Sequence, residues 1–461
     1  MGDLSDTLSG FGKGMDGKLP NAWLVPDFNQ IAKLLDIYCN CDTGALGGDY
    51  RLASVGHFGA SNNNFDVNEK SYGSYLQLDF NTDLLGRAFR GNLGVRYVQT
   101  RITADGYAPC TATNANDLSS ACEPFFGVAS ATADPGERLQ VGTRVGHKYD
   151  DWLPSLNLAW DLSDTFVLRF GAAKTMARPT LSNLSPSVSG GPTAYFDDDR
   201  AYSINLGNPK LDPFRSTNYD LSAEWYFDEG ALLSAAVFYK DIDSYVQRTR
   251  LLTTWADMGY SLDLLPAGFS PDTVFNVQSY FNTPGGPLKG YEVSYQQPFS
   301  FLPGFWRNFG VQLNYTHVES KIKYMFSSGT GSTIVTTYTE NDLLNLSPNS
   351  YNATLYYDDG RFSARVSTSY RDAYISTILS QENVWDLDGN PFATADVQGK
   401  YSVENVDFNM SYKVNTNLSL TFEAINLLDT ADERYVDSAL SLPDRYTHTG
   451  RQYYLGLRYK F

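Results

Sequence analysis

A period of two, sustained over segments of ten residues or more and repeated along most of the length, constrains this chain more than any other feature. In "YGSYLQLDFN" Leu76, Leu78 and Phe80 alternate with Gln77 and Asp79; in "FRGNLGVRYVQTRI" Leu93, Val95 and Tyr97 alternate with Gly94 and Arg96. Successive side chains of a strand point to opposite faces, so each segment reads as a strand with one apolar and one polar side. The same pattern sets Leu156, Leu158 and Trp160 against Asn157 and Ala159, and Phe166, Leu168 and Phe170 against Arg169. It runs to the last residue, where Tyr453, Leu455, Leu457, Tyr459 and Phe461 share a face. A chain end in water frays, and a terminal Phe gains nothing there.

Counting such segments predicts about 13 strands between residues 65 and 461. The connections alternate as regularly as the side chains. Short links such as "DLSDT", "DEG", "DDG" and "VNTN" join strands into hairpins at one end, with "PFSFLPGFWRNFG" the longer exception. At the other end the links are long, at about 104–137, 176–215, 246–287, 374–400 and 428–450. Short turns at one rim and long loops at the other are the asymmetry of outer-membrane barrels. Soluble sandwiches and propellers alternate too, but their strands are about 5–6 residues long, whereas about 9–11 are needed to cross a bilayer. The expected fold is all-β, a transmembrane antiparallel β-barrel whose outward face meets lipid and whose inward face lines a watery or plugged lumen. Leu156, Leu158 and Trp160 are assigned to lipid, Asn157 and Ala159 to the lumen. Tyr459 and Phe461 are assigned as an assembly signal: a ring is favourable at headgroup depth, and the terminal strand is expected to pair with the barrel's first strand.

Composition agrees. Tyr (32), Phe (27) and Trp (7) are abundant, and Tyr, apolar in its body and polar at its tip, suits a boundary between oil and water. No stretch approaches the roughly 18 apolar residues of a spanning helix. The balance of 35 basic and 52 acidic residues, a net charge of −17, argues against a nucleic-acid partner. Cys110 and Cys122 lie in one turn-rich segment and are expected to form a disulfide in an oxidising compartment; pairing of Cys39 and Cys41 is left open. No His stands at zinc-ligand spacing from either pair. The opening "MGDLSDTLSG" is acidic and polar, unlike an export signal, so the chain is expected to be processed or to be part of a longer protein. Residues 1–64 are expected to be an extracellular loop segment.

Four stretches carry a resemblance: "DDWLPSLNLAWDLSDTFVLRFGAAKTMARPTLSNLSP", "GNPKLDPFRSTNYDLSAEWYFDEGALLSAAVFYKDIDSYV", "AINLLDT" and "YYLGLRYKF". Over residues 65–461 the chain resembles the C-terminal part of a TonB-dependent outer-membrane receptor of Gram-negative bacteria. The resemblance implies about 22 strands around an N-terminal plug, uptake energised through the TonB complex, and outer-membrane lipids as surroundings. No plug precedes residue 65 here. The opening "DLSDTLSGFGKGM" resembles long-looped members linked to saccharide uptake, so carbohydrate uptake of an oligosaccharide or similar nutrient is the first expectation. A siderophore or iron-chelate receptor is the alternative, and a secreted glycan-binding β-protein is the rival from another class.

Candidate ligand groups lie in the long loops. Tyr195, Asp197, Asp198, Asp199 and Arg200 in "AYFDDDRAY", with Trp255 and Tyr260 in "TTWADMGY", combine rings that stack on sugars with carboxylates that accept hydroxyls. The competing reading is a solvated acidic loop, or one that holds Ca²⁺. Asn208, Pro209 and Pro213 in "GNPKLDPF" are read as fixing a turn into a strand, and Arg178 in "MARP" as marking a strand end. No catalytic arrangement is present: His57, His147, His317 and His448 are scattered, no HExxH, GxSxG or Walker loop occurs, and Asp358-Asp359 before Gly360 are turn residues. The chain is therefore read as no enzyme and as needing no cofactor.

Overall fold

The computed structural model describes residues 5–9, 22–35, 65–110, 139–190, 202–258, 270–328, 335–378, 397–438 and 441–461. Among them, thirteen strands follow one another in a single antiparallel sheet in chain order. We number them β1 (Asp66–Leu84), β2 (Arg87–Cys110), β3 (Leu139–Ser163), β4 (Phe166–Ala177), β5 (Phe214–Asp228), β6 (Ala231–Thr254) and β7 (Val274–Pro298). Then come β8 (Phe309–Ser320), β9 (Asn349–Asp358), β10 (Phe362–Arg371), β11 (Val403–Lys413), β12 (Leu418–Ile425) and β13 (Gln452–Tyr459). No described helix is long and apolar enough to cross a membrane; the membrane is crossed by strands. Near the start, Ser5–Ser9 pairs with Ala22–Pro26, and Asp27 caps the helix α1 (Phe28–Leu35) by accepting the N–H groups of Asn29 and Gln30 at 3.0 Å.

Register fixes the two faces. One row runs Phe80, Gly91, Leu158, Phe170, Leu221, Val237, Tyr291 across seven strands, and the next outward rows place Leu78 beside Leu93 and Leu156, and Phe89 beside Trp160 and Leu168. Side chains of these rows are left open: Leu78 is 59% exposed, Val237 53% and Leu93 47%. So large a set of apolar groups on one side of a sheet belongs against hydrocarbon. Tyrosines and a tryptophan bound this band on the loop side. Ser74, Tyr97 and Trp152 share a row, with Tyr97 and Trp152 rings 5.0 Å apart, and Tyr351 stacks on Tyr370 at 4.9 Å. At the turn side lie Phe299, Phe301, Phe305, Trp306, Phe309 and Tyr357, with Phe305 and Trp306 well exposed. Two aromatic girdles on either side of an apolar band mark the two membrane surfaces.

The inward face is polar and internally bonded. The Asn157 amide donates to Asn92 at 2.9 Å, the Arg169 guanidinium donates to both Glu224 oxygens at 2.8 and 3.1 Å, and Arg90 donates to Asp161 at 2.7 Å. Further on, Asn314 donates to Ser294 and Asn409 to Glu423. The expected assignment of Leu156, Leu158 and Trp160 to one face and Asn157 and Ala159 to the other matches this register.

Turn chemistry follows the sequence. Leu85 and Gly86 both have positive φ, 55° and 75°, as a two-residue turn between twisted strands requires. Asp359 accepts the N–H groups of Phe362 and Arg361, which hold its carboxyl below its ordinary range, and Gly360 takes φ 85°. Asn415 accepts the N–H groups of Asn417 and Leu418 at 2.9 Å.

One expectation needs adjustment. The strands reach far beyond the apolar band on the loop side: β6 continues to Thr254 and β7 starts at Val274, which shortens the expected 246–287 loop to a link over 255–273. Above the membrane neither face meets hydrocarbon, and polar residues such as Gln247 and Thr249 are buried under other loop elements, so no apolar period announces the extension. β13 bonds only to β12 and β1 only to β2, so the thirteen described strands do not close on themselves, in keeping with the expectation of about 13 strands of a larger barrel. With thirteen antiparallel strands the first and last run in the same direction, and they cannot form an antiparallel pair.

Candidate functional site

On the loop side, the segment after β4 turns inward over the mouth. Arg178 follows the last residue of β4 and reaches across to β1, pairing with Glu69 at 3.0 Å and donating to Ser71 at 2.7 Å. Beyond it Leu184 and Leu211, both 0% exposed, pack on the inward side chains Ile102 of β2 and Tyr149 of β3, with Val67, Val246 and Tyr280 around them. Tyr202–Leu206 adds a short parallel strand beside β7. Gly207 admits the close approach: a Cβ there would lie 2.4 Å from the Ser185 carbonyl oxygen.

"GNPKLDPF" fastens this inward fold. The Asn208 N–H donates to the Asn183 carbonyl at 2.7 Å, its amide donates to the Tyr280 carbonyl at 2.9 Å, and its side-chain oxygen accepts the Lys210 N–H at 3.0 Å. The Asp212 N–H donates to Asn282, whose amide returns a bond to the Asp212 carbonyl. Below this lies a buried ion pair: Arg215 donates to Asp151 at 2.5 Å, and Asp151 is 4% exposed. A strand follows at Phe214, so the turn-into-strand reading of Asn208, Pro209 and Pro213 agrees with the geometry.

A second loop-side element is the hairpin Ile322–Ser328 with Val335–Asn341. Gln247 of β6 clamps it, donating to the Thr283 hydroxyl and the Lys323 carbonyl and accepting the Met325 N–H at 2.8 Å. Tyr324 of this hairpin is 2% exposed, and burial pushes its hydroxyl well above the ordinary tyrosine range; the hydroxyl donates to the Asp342 carbonyl and accepts the Leu344 N–H.

Two cavities open among these elements. One, of about 250 Å³, lies between the fastened turn and β6–β7, lined by Leu206, Asn208, Lys210, Asp257, Val277 and Phe281. The other, of about 470 Å³, lies on the inward face of β8–β11, where Thr316, Ser350, Asn352, Ser369, Arg371 and Asn405 converge. Among the described residues, Arg371 is the one charged residue lining it, and no carboxylate does. Its guanidinium sits 4.0 Å from the Tyr374 ring centroid and donates to the Ser347 hydroxyl at 2.6 Å and to the Asn345 carbonyl. A cation held against a ring, amid hydroxyls and amides, can bind a flat anion by charge, stacking and hydrogen bonds together.

Of the loop residues singled out from sequence, Tyr195, Asp197, Asp198, Asp199, Arg200 and Tyr260 lie outside the described residues. Trp255 opens the one-turn helix Trp255–Met258, whose Asp257 borders the smaller cavity. The Cys110–Cys122 pairing also falls outside: the backbone of Cys110 ends β2 opposite Leu139, and Cys122 is not among the described residues. Among the described residues no group of three His, Cys, Asp or Glu could hold a metal ion. The Arg371 cavity was not foreseen, because its lining comes from four strands spread over residues 316–405 and no local motif joins them.

The family described as "TonB dependent receptor-like, beta-barrel" matches residues 6–427. A curated relative, the probable TonB-dependent siderophore receptor PirA of Acinetobacter baumannii, is 24% identical over 353 residues, covering 72% of this chain and 43% of its own. Among solved structures, the siderophore receptor PirA from Acinetobacter baumannii aligns with TM-score 0.49 and 16% identity over 86% of this chain and 55% of that one. The ferric enterobactin receptor of Pseudomonas aeruginosa aligns with TM-score 0.48 and 14% identity over the same shares. The chain thus spans about half the length of these relatives. With the family match over most of its residues and a sheet that is apolar outside and polar inside between two aromatic girdles, the chain belongs to the TonB-dependent receptor β-barrel family and lies in the outer membrane.

Proposed function

We propose that this chain forms the larger part of the barrel of a receptor that takes up a ferric siderophore, with the inward cavity at Arg371 as part of the ligand path. The observation that carries this reading is the chemistry of that cavity: one guanidinium stacked on Tyr374, hydroxyls and amides around it, and no lining carboxylate among the described residues. Iron chelates of catecholate or hydroxycarboxylate type are anionic and partly planar, which such a cavity complements. The name of the curated relative supports the same ligand class. Oligosaccharide uptake, the first expectation from sequence, gives way to this alternative. Its acidic loop residues lie outside the described part, and the larger described cavity is cationic rather than acidic.

Coupling to TonB and gating by a plug follow from the family and are part of the proposal. So are further strands that bridge the free edges of β1 and β13, since an unpaired edge in hydrocarbon leaves each backbone group without a partner at several kcal/mol. The test is binding of a ferric tris-catecholate to the receptor in outer-membrane vesicles, read by quenching of its Trp and Tyr fluorescence. Arg371→Ala is expected to weaken binding by about 10-fold to 100-fold, the worth of a charge-assisted contact. A maltooligosaccharide should bind with no measurable affinity. Saturable oligosaccharide binding, with no response to the chelate, would reverse the assignment.

A further inference from the structure

On the outward face of β1–β3, one row above the girdle that holds Tyr72, three cations stand side by side. Lys70 is registered opposite Arg101, and Arg101 opposite Lys148. All three are exposed, while the alternating neighbours Glu69, Thr100, Ile102, His147 and Tyr149 turn inward. Neighbouring strands are about 4.8 Å apart, so three positive charges lie within about 10 Å on one row. Like charges directly opposite on a sheet repel, and this chain carries more acidic than basic residues. The usual remedy, a carboxylate interleaved in the same row, is missing among the described residues. Among the described residues, Arg101 finds Gln99 at 3.2 Å and the Tyr72 ring at 5.8 Å. Asp150 is one row below Lys148, and Asp105, two rows above, is taken by Arg144 at 2.5 Å. Further along the same outward face the situation is treated differently: Lys289 of β7 has Glu319 at 3.0 Å.

The depth identifies what fills the gap. Down the row sequence, Lys70/Arg101/Lys148 is followed by Tyr72/Gln99/Asp150, then by Ser74/Tyr97/Trp152, then by the apolar rows starting at Leu76/Val95/Pro154. The cations therefore stand one step outside the loop-side aromatic girdle, at headgroup level of the outer leaflet, with their aliphatic stems along the girdle. We propose that Lys70, Arg101 and Lys148 form a docking site for the phosphate groups of a lipid headgroup in that leaflet, a site separate from the ligand path inside the barrel. The anion supplies the charge that the protein omits, and Arg101, in the middle, presents a planar fork to it.

The test is lipid retention by native mass spectrometry of the full receptor extracted from outer membranes, with diphosphoryl lipid A as the probe. Each cation near a membrane surface favours an anionic headgroup about fivefold. The single change Lys148→Gln should therefore lower retention about fivefold, and the triple Lys70→Gln, Arg101→Gln, Lys148→Gln about a hundredfold. Lys289→Gln, which removes an outward cation already paired, should change nothing. Undiminished retention by the single and triple variants would overturn the proposal, as would equal loss in Lys289→Gln. Equal retention of the dephosphorylated glycolipid, or displacement of lipid A by millimolar inorganic phosphate, would also overturn it, since the first removes the phosphate and the second the membrane source.

Discussion

Arg215→Ala is expected to destabilise the receptor by about 3–5 kcal/mol, the cost of leaving one member of a buried ion pair alone. Asp151 is the reason. Its side chain is 3% exposed, one oxygen receives the Arg215 guanidinium, and the other has no hydrogen-bond partner. Remove Arg215 and a buried carboxylate loses the one ion-pair partner it has among the described residues. The same guanidinium lies 3.8 Å from Asp212 of the "GNPKLDPF" turn, whose carboxylate also meets His147 at 3.2 Å. The loss should therefore spread to the mouth, and urea unfolding in lipid vesicles should show it together with faster proteolysis of residues 178–213. Asp151→Asn in the Arg215→Ala background should restore part of the stability by removing the stranded charge. No change on Arg215→Ala would mean that the site is wet and the pair dispensable.

Deleting residues 452–461 is expected to have the larger effect, loss of assembly altogether. The deletion removes the whole of β13 and its ladder from Ile425–Gln452 to Leu418–Tyr459, and bares the β12 edge to lipid at several kcal/mol for each unpaired backbone group. It also removes the tie at the turn rim, where the Lys460 N–H donates to the Asn417 carbonyl and the Asn417 amide to the Lys460 carbonyl. Tyr459 and Phe461 pack edge to face at 5.2 Å, with Phe461 wholly exposed at that rim. Folded barrels migrate differently on gels before and after boiling. The truncated chain should show only the boiled mobility, and a normal heat-modifiable band would refute the role given to this strand.

What the sequence disclosed and what it withheld divide along a physical line. Wherever one face met hydrocarbon and the other the lumen, as at Leu76–Phe80 or Leu156–Trp160, alternation located the strand, its partner and its faces. Turn positions were as legible, because Asp359 and Gly360 belong to chemistry that few backbones other than a turn require. Above the girdle the constraint ends: β6 runs on through "VQRTRLLTT", where polar Gln247 and Thr249 are buried under loop elements and neither face meets lipid, so its length was read as loop. Leu184 and Leu211 were silent for the opposite reason. They are single apolar residues in a polar connection, and only the inward fold reveals that they pack on Ile102 and Tyr149. Arg371 and its cavity were hidden because adjacency across β8–β11 is a matter of register, not of spacing along the chain. The row Lys70, Arg101, Lys148 is hidden in the same way, since its members come from three strands.

The central claim is that one face of this sheet meets lipid and the other the lumen. The direct measurement is a spin-label scan of residues 152–160 in β3, made in the receptor reconstituted into vesicles after its native cysteines are changed to Ser. Oxygen concentrates in hydrocarbon and a nickel chelate in water, so their relative collision rates report each position's surroundings. The account predicts alternation with a period of two, with oxygen preferred at residues 154, 156 and 158 and nickel at 155, 157 and 159, in line with the outward row of Leu156 and Leu158 and the inward row of Asn157 and Ala159. Uniform nickel access at both sets would contradict it, because a sheet wetted on both faces is not a barrel wall.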